Sequence, residues 1–110
     1  MAYKVLWTEH ALEDTKEIIR YIAKTLDSPI AAREHLEAFE QAVKSIELFP
    51  KARAISVTPS LRKRELRCFP VKKYLMLYRI QNVSAIIIYR VFHSTQDYAR
   101  IIDQADNTDS

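Results

Sequence analysis

The chain has 110 residues, 48% of them hydrophobic and 28% charged, which fits one globular domain with its own core and is unlike a disordered chain. Glycine is absent, which excludes a glycine-rich phosphate-binding loop, and the single cysteine, Cys68, excludes an internal disulfide. No apolar run is long enough to span a membrane, and the N-terminal residues lack the apolar core of a signal peptide. These features predict a cytoplasmic protein.

Charge is unevenly distributed along the chain. Residues 1–60 hold eight Lys/Arg and nine Asp/Glu, a net charge of −1, whereas residues 61–110 hold nine and five, a net charge of +4. The positive half is therefore expected to meet a polyanion or an acidic protein. The alternative is that these cations only keep one face of a sheet hydrated.

The N-terminal half predicts a strand followed by two helices. Residues 3–7 alternate weakly and are rich in strand-forming side chains. Thr8 is a candidate N-cap for the first helix, and Ser28 with Pro29 is a typical start for the second. The second helix should end near Phe49, because Pro50 disfavours helical structure in the residue before it. Two amphipathic helices with a short connection predict an antiparallel hairpin.

Three strands are predicted in the second half, at residues 63–69, 73–81 and 85–92. Residues 81–84 predict a hairpin turn in which Asn82 takes the left-handed conformation, and Pro70 is expected at a bend or on an edge strand. Residues 103–110 are polar and predict a disordered tail, which leaves residues 1–102 as a single domain. The predicted fold is α+β with the order β-α-α-β-β-β: a small antiparallel sheet of about four strands, with the N-terminal helix hairpin packed on one face.

Six cations form a basic cluster at the start of the predicted sheet. Several cations close together can bind phosphate groups or an acidic partner. Strand alternation would put Arg62 and Arg64 on one face and Lys63 and Arg67 on the other, so not all six can serve one surface. The alternative is a hydrated sheet edge. The cluster consists of Arg62, Lys63, Arg64, Arg67, Lys72 and Lys73.

The last predicted strand carries an arginine inside an apolar run. A charge in a strand core is costly unless it is paired or faces an anion, so Arg90 needs a use for its guanidinium. Apolar neighbours would hold that group rigid for recognition of a phosphate or a carboxylate. The alternative is an ion pair with an acid of the second helix, such as Glu37 or Glu40.

The same strand ends on a histidine. His93 would be held by a rigid sheet and remain open to solvent, where it could act as a general acid or base. An equal alternative is that it caps the strand or bonds Asp97. Strict alternation puts Arg90 and His93 on opposite faces, so a bulge or a twist is needed for both to serve one site.

The other aromatic and titratable residues favour structure over chemistry. Tyrosines at strand spacing are usually half-buried core, although any one could stack on a base or donate a proton. His10 and His35 are isolated on predicted helices, and with one cysteine neither a metal site nor another cofactor is expected. The tyrosines in or just beyond the strands are Tyr74, Tyr78, Tyr89 and Tyr98.

Four segments in this order resemble the RelE/ParE toxin superfamily of type II toxin–antitoxin systems. They are YKVLWTEHALEDTKEIIRYI, then SPIAAREHL with its LFP end, then RELRCFPVKKYLMLYRI and IYRVFHSTQD, and together they cover about residues 3–102. The resemblance implies a growth-inhibiting toxin that is neutralised by a cognate acidic antitoxin, whose extended or helical segment lies across the toxin.

The superfamily has two branches with different targets. ParE-like members poison DNA gyrase and are not thought to be nucleases, whereas RelE-like members cut mRNA on the ribosome. The start of the second helix, with Pro29, Ala31 and Ala32, looks more ParE-like, so gyrase is the favoured target. A ribosome-dependent mRNA endoribonuclease is the alternative, and an inactive toxin-like binding domain is the second.

The resemblance leaves open whether the chain is an enzyme. If it cleaves RNA without a metal, Arg67 and Arg90 carry over as phosphate clamps, with His93 as acid or base and Tyr98 or a lysine of the basic cluster assisting. The lysine pair that precedes them in RelE-like active sites is matched only by Lys63. If the chain is ParE-like, the basic strands are contact surface, and Arg90 and His93 only hold the shape of the sheet.

Overall fold

The structure is a computed structural model that describes residues 3–109 and the side chains of residues 3–105. Residues 3–109 form four strands and four α-helices, joined by short turns. In chain order they are β1 (Lys4–Trp7), α1 (Glu9–Arg20), a π-helical turn (Tyr21–Thr25), α2 (Pro29–Leu48), a 3₁₀ turn (Pro50–Ala52), α3 (Pro59–Arg62), β2 (Arg67–Val71), β3 (Tyr74–Asn82), β4 (Ala85–His93) and α4 (Tyr98–Asp109).

The helix hairpin begins and ends where its capping residues predict. The hydroxyl oxygen of Thr8 accepts a hydrogen bond of 3.0 Å from the backbone N–H of Ala11 at the start of α1. The hydroxyl oxygen of Ser28 accepts one of 3.2 Å from Ala31 at the start of α2, with Pro29 in the first turn. The second helix stops at Leu48, two residues before Pro50.

The four strands form one sheet in the order β1-β4-β3-β2. The α+β class and the helix hairpin on one face are confirmed, but the sheet is mixed, because β1 pairs in parallel with β4 while the other pairs are antiparallel. The two helices carry the chain across the sheet. β4, the last strand of the β2-β3-β4 meander, therefore lies beside β1 and runs in the same direction. Pro70 lies in β2, which is an edge strand, as expected.

Two turns differ from their predictions. The segment 63–69 is not all strand: α3 occupies Pro59–Arg62, and β2 begins only at Arg67. Glu65 takes a left-handed conformation (φ 56°), and the N–H of Leu66 bonds the carbonyl of Leu61, which closes the helix end in the manner usually left to glycine. Asn82 is not left-handed; its side-chain oxygen instead accepts a hydrogen bond of 2.9 Å from the N–H of Ser84.

Both faces of the sheet are covered, although the sequence analysis predicts a cover for only one. On the helix-hairpin face, the buried side chains include Phe39, Ile46, Met76, Tyr78 and Ile88. On the opposite face, α3 and α4 contribute to a second cluster of Leu61, Leu66, Leu77, Phe92 and Ile102.

Helix α4 changes the expected end of the domain. It runs from Tyr98 to Asp109, so the predicted boundary after residue 102 falls inside a helix, and residues 103–109 continue it instead of forming a separate tail. Ser110 lies outside the described residues. The polar composition of residues 103–110 concealed this helix, because its apolar anchor, Ile102, comes before that segment.

A β-bulge interrupts the pairing of β3 with β4. Leu77 pairs with Arg90 and Tyr78 pairs with Ile88, which leaves Tyr89 as an extra residue on β4. The two faces of β4 exchange parity at this point, so Ile88 and Val91 both pack in the helix-hairpin core. Without the bulge, Arg90 would lie with Ile88 on the helix-hairpin face of the sheet.

The hydroxyl of Tyr78 should contribute to stability, because Tyr78 is fully buried and donates a hydrogen bond of 2.7 Å to the carbonyl of Pro50. Tyr78→Phe would leave that carbonyl without its partner, and we expect the free energy of unfolding in urea to fall by about 1–3 kcal/mol. Tyr3→Phe, which removes a hydroxyl from a partly exposed side chain, is the control and should change it little. Equal effects of the two substitutions would contradict the prediction.

Candidate functional site

Helix α1 takes the place of a missing strand along half of β4. β1 pairs with β4 only as far as Ile88, so residues 89–93 have no strand on that side. The N–H of Thr8 bonds the carbonyl of Ile88 (3.1 Å), and its hydroxyl donates to the carbonyl of Tyr89 (2.7 Å). One carboxylate oxygen of Asp14 accepts from the N–H of Val91 (3.0 Å). These contacts satisfy backbone groups that an edge would otherwise leave open.

Arg90 forms a two-pronged ion pair with the same carboxylate. Its Nε donates to one oxygen of Asp14 at 2.8 Å and its Nη2 to the other at 3.1 Å. Only 12% of the Arg90 side chain and 13% of the Asp14 side chain are exposed. The guanidinium carbon also lies 4.5 Å from the centre of the Phe92 ring. The alternative of an ion pair with a helix acid is therefore the observed one, but the acid is on α1, not Glu37 or Glu40 of α2.

His93 and Arg90 reach one cleft, of about 300 Å³, between α1 and the end of β4. The Nδ1 of His93 accepts a hydrogen bond of 3.2 Å from the N–H of Thr95 and lies 2.7 Å from its hydroxyl oxygen. A backbone N–H can only donate, so Nδ1 carries no proton and the ring proton is on Nε2. The backbone N–H of His93 donates to the side chain of Gln96 (2.9 Å). The partner of the histidine is thus Thr95 and not Asp97.

The other two candidate catalytic residues lie elsewhere and do not line this cleft. Arg67 is on β2, two strands from β4 and so about 10 Å away across the sheet, and it donates to the carbonyl of Arg53. Tyr98 begins α4 and stacks on Phe92 with ring centres 6.2 Å apart. The four predicted residues therefore do not converge on one reacting centre.

The basic cluster is divided among different surroundings. Lys63 and Arg64 each lie 3.5 Å from Asp103 of α4, which also accepts a hydrogen bond from the hydroxyl of Ser60. That hydrogen bond, helped by the two cations, lowers the pKa of the Asp103 carboxyl. Arg62 is exposed at the end of α3. These contacts join α3 to α4.

Lys72 and Lys73 form the remaining part of the cluster, in the β2–β3 turn. Lys72 is left-handed (φ 54°), and both lysines are exposed and line a separate, larger cleft. His35 lines the same cleft and is not isolated, because its ring meets the edge of Tyr74 at 6.0 Å. Nothing in the sequence pattern marks this contact, since His35 and Tyr74 are far apart in the chain.

The single thiol and the potential metal ligands add little chemistry to the described residues. Burial raises the pKa of the Cys68 thiol, which makes it a poor nucleophile at neutral pH. Across residues 3–105, whose side chains are described, no three His, Cys, Asp or Glu residues form a group that could hold a metal ion. No helix among the described residues is both long and apolar enough to cross a membrane.

The fold has known relatives among solved structures. A chain titled "Chromosomal ParDE TA system from P. aeruginosa" superposes with a TM-score of 0.66, at 19% sequence identity, over 84% of this chain and 96% of that one. At this identity the likeness concerns the fold. No curated protein matches the sequence.

The sequence places the chain in a family within that fold. The profile described as "ParE toxin of type II toxin-antitoxin system, parDE" matches residues 5–98, which is most of the chain. The chain therefore belongs to the ParE toxin family of type II toxin–antitoxin systems. The resemblance to the RelE/ParE superfamily is confirmed, and the match is to its ParE branch.

The Asp14–Arg90 pair should be strongly coupled. Asp14→Ala leaves the largely buried Arg90 charge without its partner and Val91 without its acceptor, so we expect a loss of about 3 kcal/mol in the free energy of unfolding in urea. Adding Arg90→Ala to that variant should cost much less than Arg90→Ala alone.

The exposed pair of Lys63 and Asp103 provides the control, because Lys63→Ala should change the free energy of unfolding only slightly. Strictly additive effects of Asp14→Ala and Arg90→Ala would contradict the proposed coupling.

Proposed function

We propose that this chain is the toxin of a type II toxin–antitoxin module and arrests growth by binding DNA gyrase, without cleaving nucleic acid. The observation that carries this proposal is the ParE family match over residues 5–98. We place the protein in the cytoplasm, where gyrase acts.

The geometry of Arg90 supports a binding protein over a nuclease. Metal-free RNA cleavage needs an acid, a base and cations that stabilise the charge on the phosphorane. Two N–H groups of Arg90 already donate to the carboxylate of Asp14, which largely neutralises the charge of the guanidinium. Arg67 lies on a different strand and Tyr98 packs against Phe92. In the proposed function, Arg90 therefore fixes α1 to the sheet and does not clamp a phosphate.

A specific observation keeps the ribosome-dependent endoribonuclease as the second candidate. Arg90 and His93 line the same cleft, and the proton of the neutral His93 ring is on Nε2. A histidine at that position could serve as a donor to a leaving oxygen if RNA entered the cleft.

The cognate antitoxin is the proposed partner, and the groove between α1 and α2 is its proposed docking surface. This groove has a volume of about 760 Å³ and a mostly apolar floor that includes Trp7, Ile19 and Phe39. Leu12 and Leu36, which also line it, are each 43% exposed. Such a groove accepts the apolar face of an amphipathic helix.

The charges on the groove favour an acidic occupant. Its lining residues include three cations and two acids, a net charge of +1 when both are counted. An acidic, helical antitoxin segment would therefore meet both apolar contacts and charge complementarity there. The charged lining residues are Lys16, Arg20, Lys44, Glu40 and Glu47.

The target can be tested with two purified systems. We expect induced expression of the chain to arrest growth, and the purified protein to inhibit supercoiling by gyrase while leaving mRNA intact on programmed ribosomes. His93→Gln should not reduce this inhibition, because the proposed function assigns His93 no chemistry.

Two outcomes would contradict this proposal. Cleavage of ribosome-bound mRNA that is lost in His93→Gln would establish the nuclease instead. Normal growth with verified folded protein would indicate an inactive binding domain.

The docking groove can be tested separately. Leu12→Glu and Leu36→Glu place like charge against an acidic helix, so we expect each to weaken antitoxin binding at least tenfold, which is about 1.4 kcal/mol. The measurement is titration calorimetry with the protein encoded next to this chain, together with rescue of growth on coexpression.

Val57→Glu and Val83→Glu are the matched controls, because both side chains are highly exposed and neither lines the groove. Equal weakening by the controls would show that added negative charge alone matters, and would overturn the proposed location.

A further inference from the structure

A second cleft lies around Tyr74, close to the start of α2. It lies between the π-helical turn, the start of α2 and the β2–β3 turn, and its volume is about 930 Å³. We call it the Tyr74 cleft. Besides Tyr74, its lining includes Tyr21, Leu26, His35, Lys72, Lys73 and His93.

The composition of this lining is one-sided. It holds two lysines, two histidines, two tyrosines and two hydroxyl side chains, and no carboxylate. The adjacent surface beyond Lys72 does carry acids, since Glu34 and Glu37 line a neighbouring cleft with it. Lys73 lines the Tyr74 cleft but does not line the neighbouring one. An anion is the ligand that such a lining would bind.

Three rings inside the Tyr74 cleft are held in fixed positions. Tyr74 meets the ring of His35 edge-on at 6.0 Å and the ring of His93 edge-on at 5.2 Å. The Nδ1 of His35 lies 2.7 Å from the carbonyl of Ala31, and Thr95 holds the Nδ1 of His93. The N–H of Ser94 also bonds the carbonyl of Lys73 (2.8 Å), so the β2–β3 turn is tied to the end of β4.

The tautomers leave complementary atoms for a ligand. A carbonyl can only accept, so the Nδ1 of His35 carries a proton, and the Nε2 of its neutral ring is an acceptor. The neutral ring of His93 has the opposite form, with a donor at Nε2. Among the described residues, neither Nε2 has a hydrogen-bond partner. Burial raises the pKa of Tyr74, which keeps its hydroxyl protonated as a further donor.

The wall of the cleft that the π-helical turn and the residue after it contribute is apolar and aromatic. Tyr21 is 50% exposed and Leu26 is 56% exposed, and both lie beside the buried Ile22. An exposed tyrosine next to an open leucine offers a flat surface on which a planar ring can stack. A simple inorganic anion would leave this wall unused.

We propose that the Tyr74 cleft binds a nucleotide, meaning a phosphate monoester joined to a planar base, either free or at the end of a nucleic-acid strand. Lys72, Lys73 and the Nε2–H of His93 would hold the phosphate, while the base lies against Tyr21 and Leu26. This binding needs neither gyrase nor antitoxin, so it goes beyond the function proposed above and can fail independently of it.

The test is an NMR titration of the isotopically labelled protein with AMP, followed by adenosine and by inorganic phosphate. We expect saturable shifts at Lys73, Tyr74 and His93 with AMP, and binding at least tenfold weaker with either fragment alone. The double variant Lys72→Ala, Lys73→Ala should weaken AMP at least tenfold. Tyr21→Ala should weaken AMP but leave the response to phosphate unchanged.

The matched control is Lys4→Ala with Lys51→Ala. It removes the same charge from two exposed lysines that are outside the Tyr74 cleft. It should leave AMP affinity unchanged, and unchanged thermal unfolding would confirm that all the variants are folded. Dinucleotides with and without a 5′-phosphate distinguish the two sources of the ligand. Preference for the phosphorylated dinucleotide supports the end of a strand. Weak and equal binding of both dinucleotides, together with tight binding of AMP, supports a free nucleotide.

Three results would overturn the proposal. The first is the absence of a saturable shift up to about 10 mM AMP, which corresponds to negligible affinity. The second is equal binding of phosphate and AMP, and the third is equal weakening of AMP binding in the control variant. Binding of a short acidic peptide in place of AMP would identify a peptide site and would also refute it.

Discussion

The carboxylate of Asp14 is the contact on which the arrangement of this molecule depends. β1 has four residues and β4 has nine, so the second half of β4 would be an open edge against α1. Asp14 accepts one backbone N–H and two guanidinium N–H groups at that edge. A helix acid thereby does what a longer strand would do, and it fixes α1 against the sheet at the point where parallel pairing ends.

The same contact limits which cations of the sheet are available to bind a partner. A cation that is paired inside the fold contributes little to an external phosphate site, and Arg90 is such a cation. Arg64, whose side chain is 11% exposed, also lies against a carboxylate, that of Asp103, whereas the pair of Lys63 with Asp103 is exposed. The net positive charge of the second half of the chain is therefore partly structural. The apolar groove of the helix hairpin, the exposed lysines of the β2–β3 turn and the exposed Arg62 remain accessible to a partner.

Local signals predicted local structure well in this chain. The caps at Thr8 and Ser28 and the stop before Pro50 each depend on neighbouring residues, and each is confirmed. Contacts between distant residues were not predictable in the same way. An acid for Arg90 could be expected from charge alone, but Asp14 follows only from the parallel placement of β1 and the bulge at Tyr89. The continuation of α4 beyond residue 102 was not predicted, because its packing depends on a few apolar residues near its start.

The absence of glycine links the turns to the candidate cleft. In the part of the chain that the structure describes, three residues take left-handed conformations, Asp27, Glu65 and Lys72, where glycine would be favoured by about 1 kcal/mol or more. At Asp27 and Glu65 the side chain is exposed and the turn itself is the only evident purpose. At Lys72, glycine would relax the backbone but would also remove a cation from the Tyr74 cleft. In the proposed nucleotide site, recognition would therefore favour lysine at this position, where stability favours glycine.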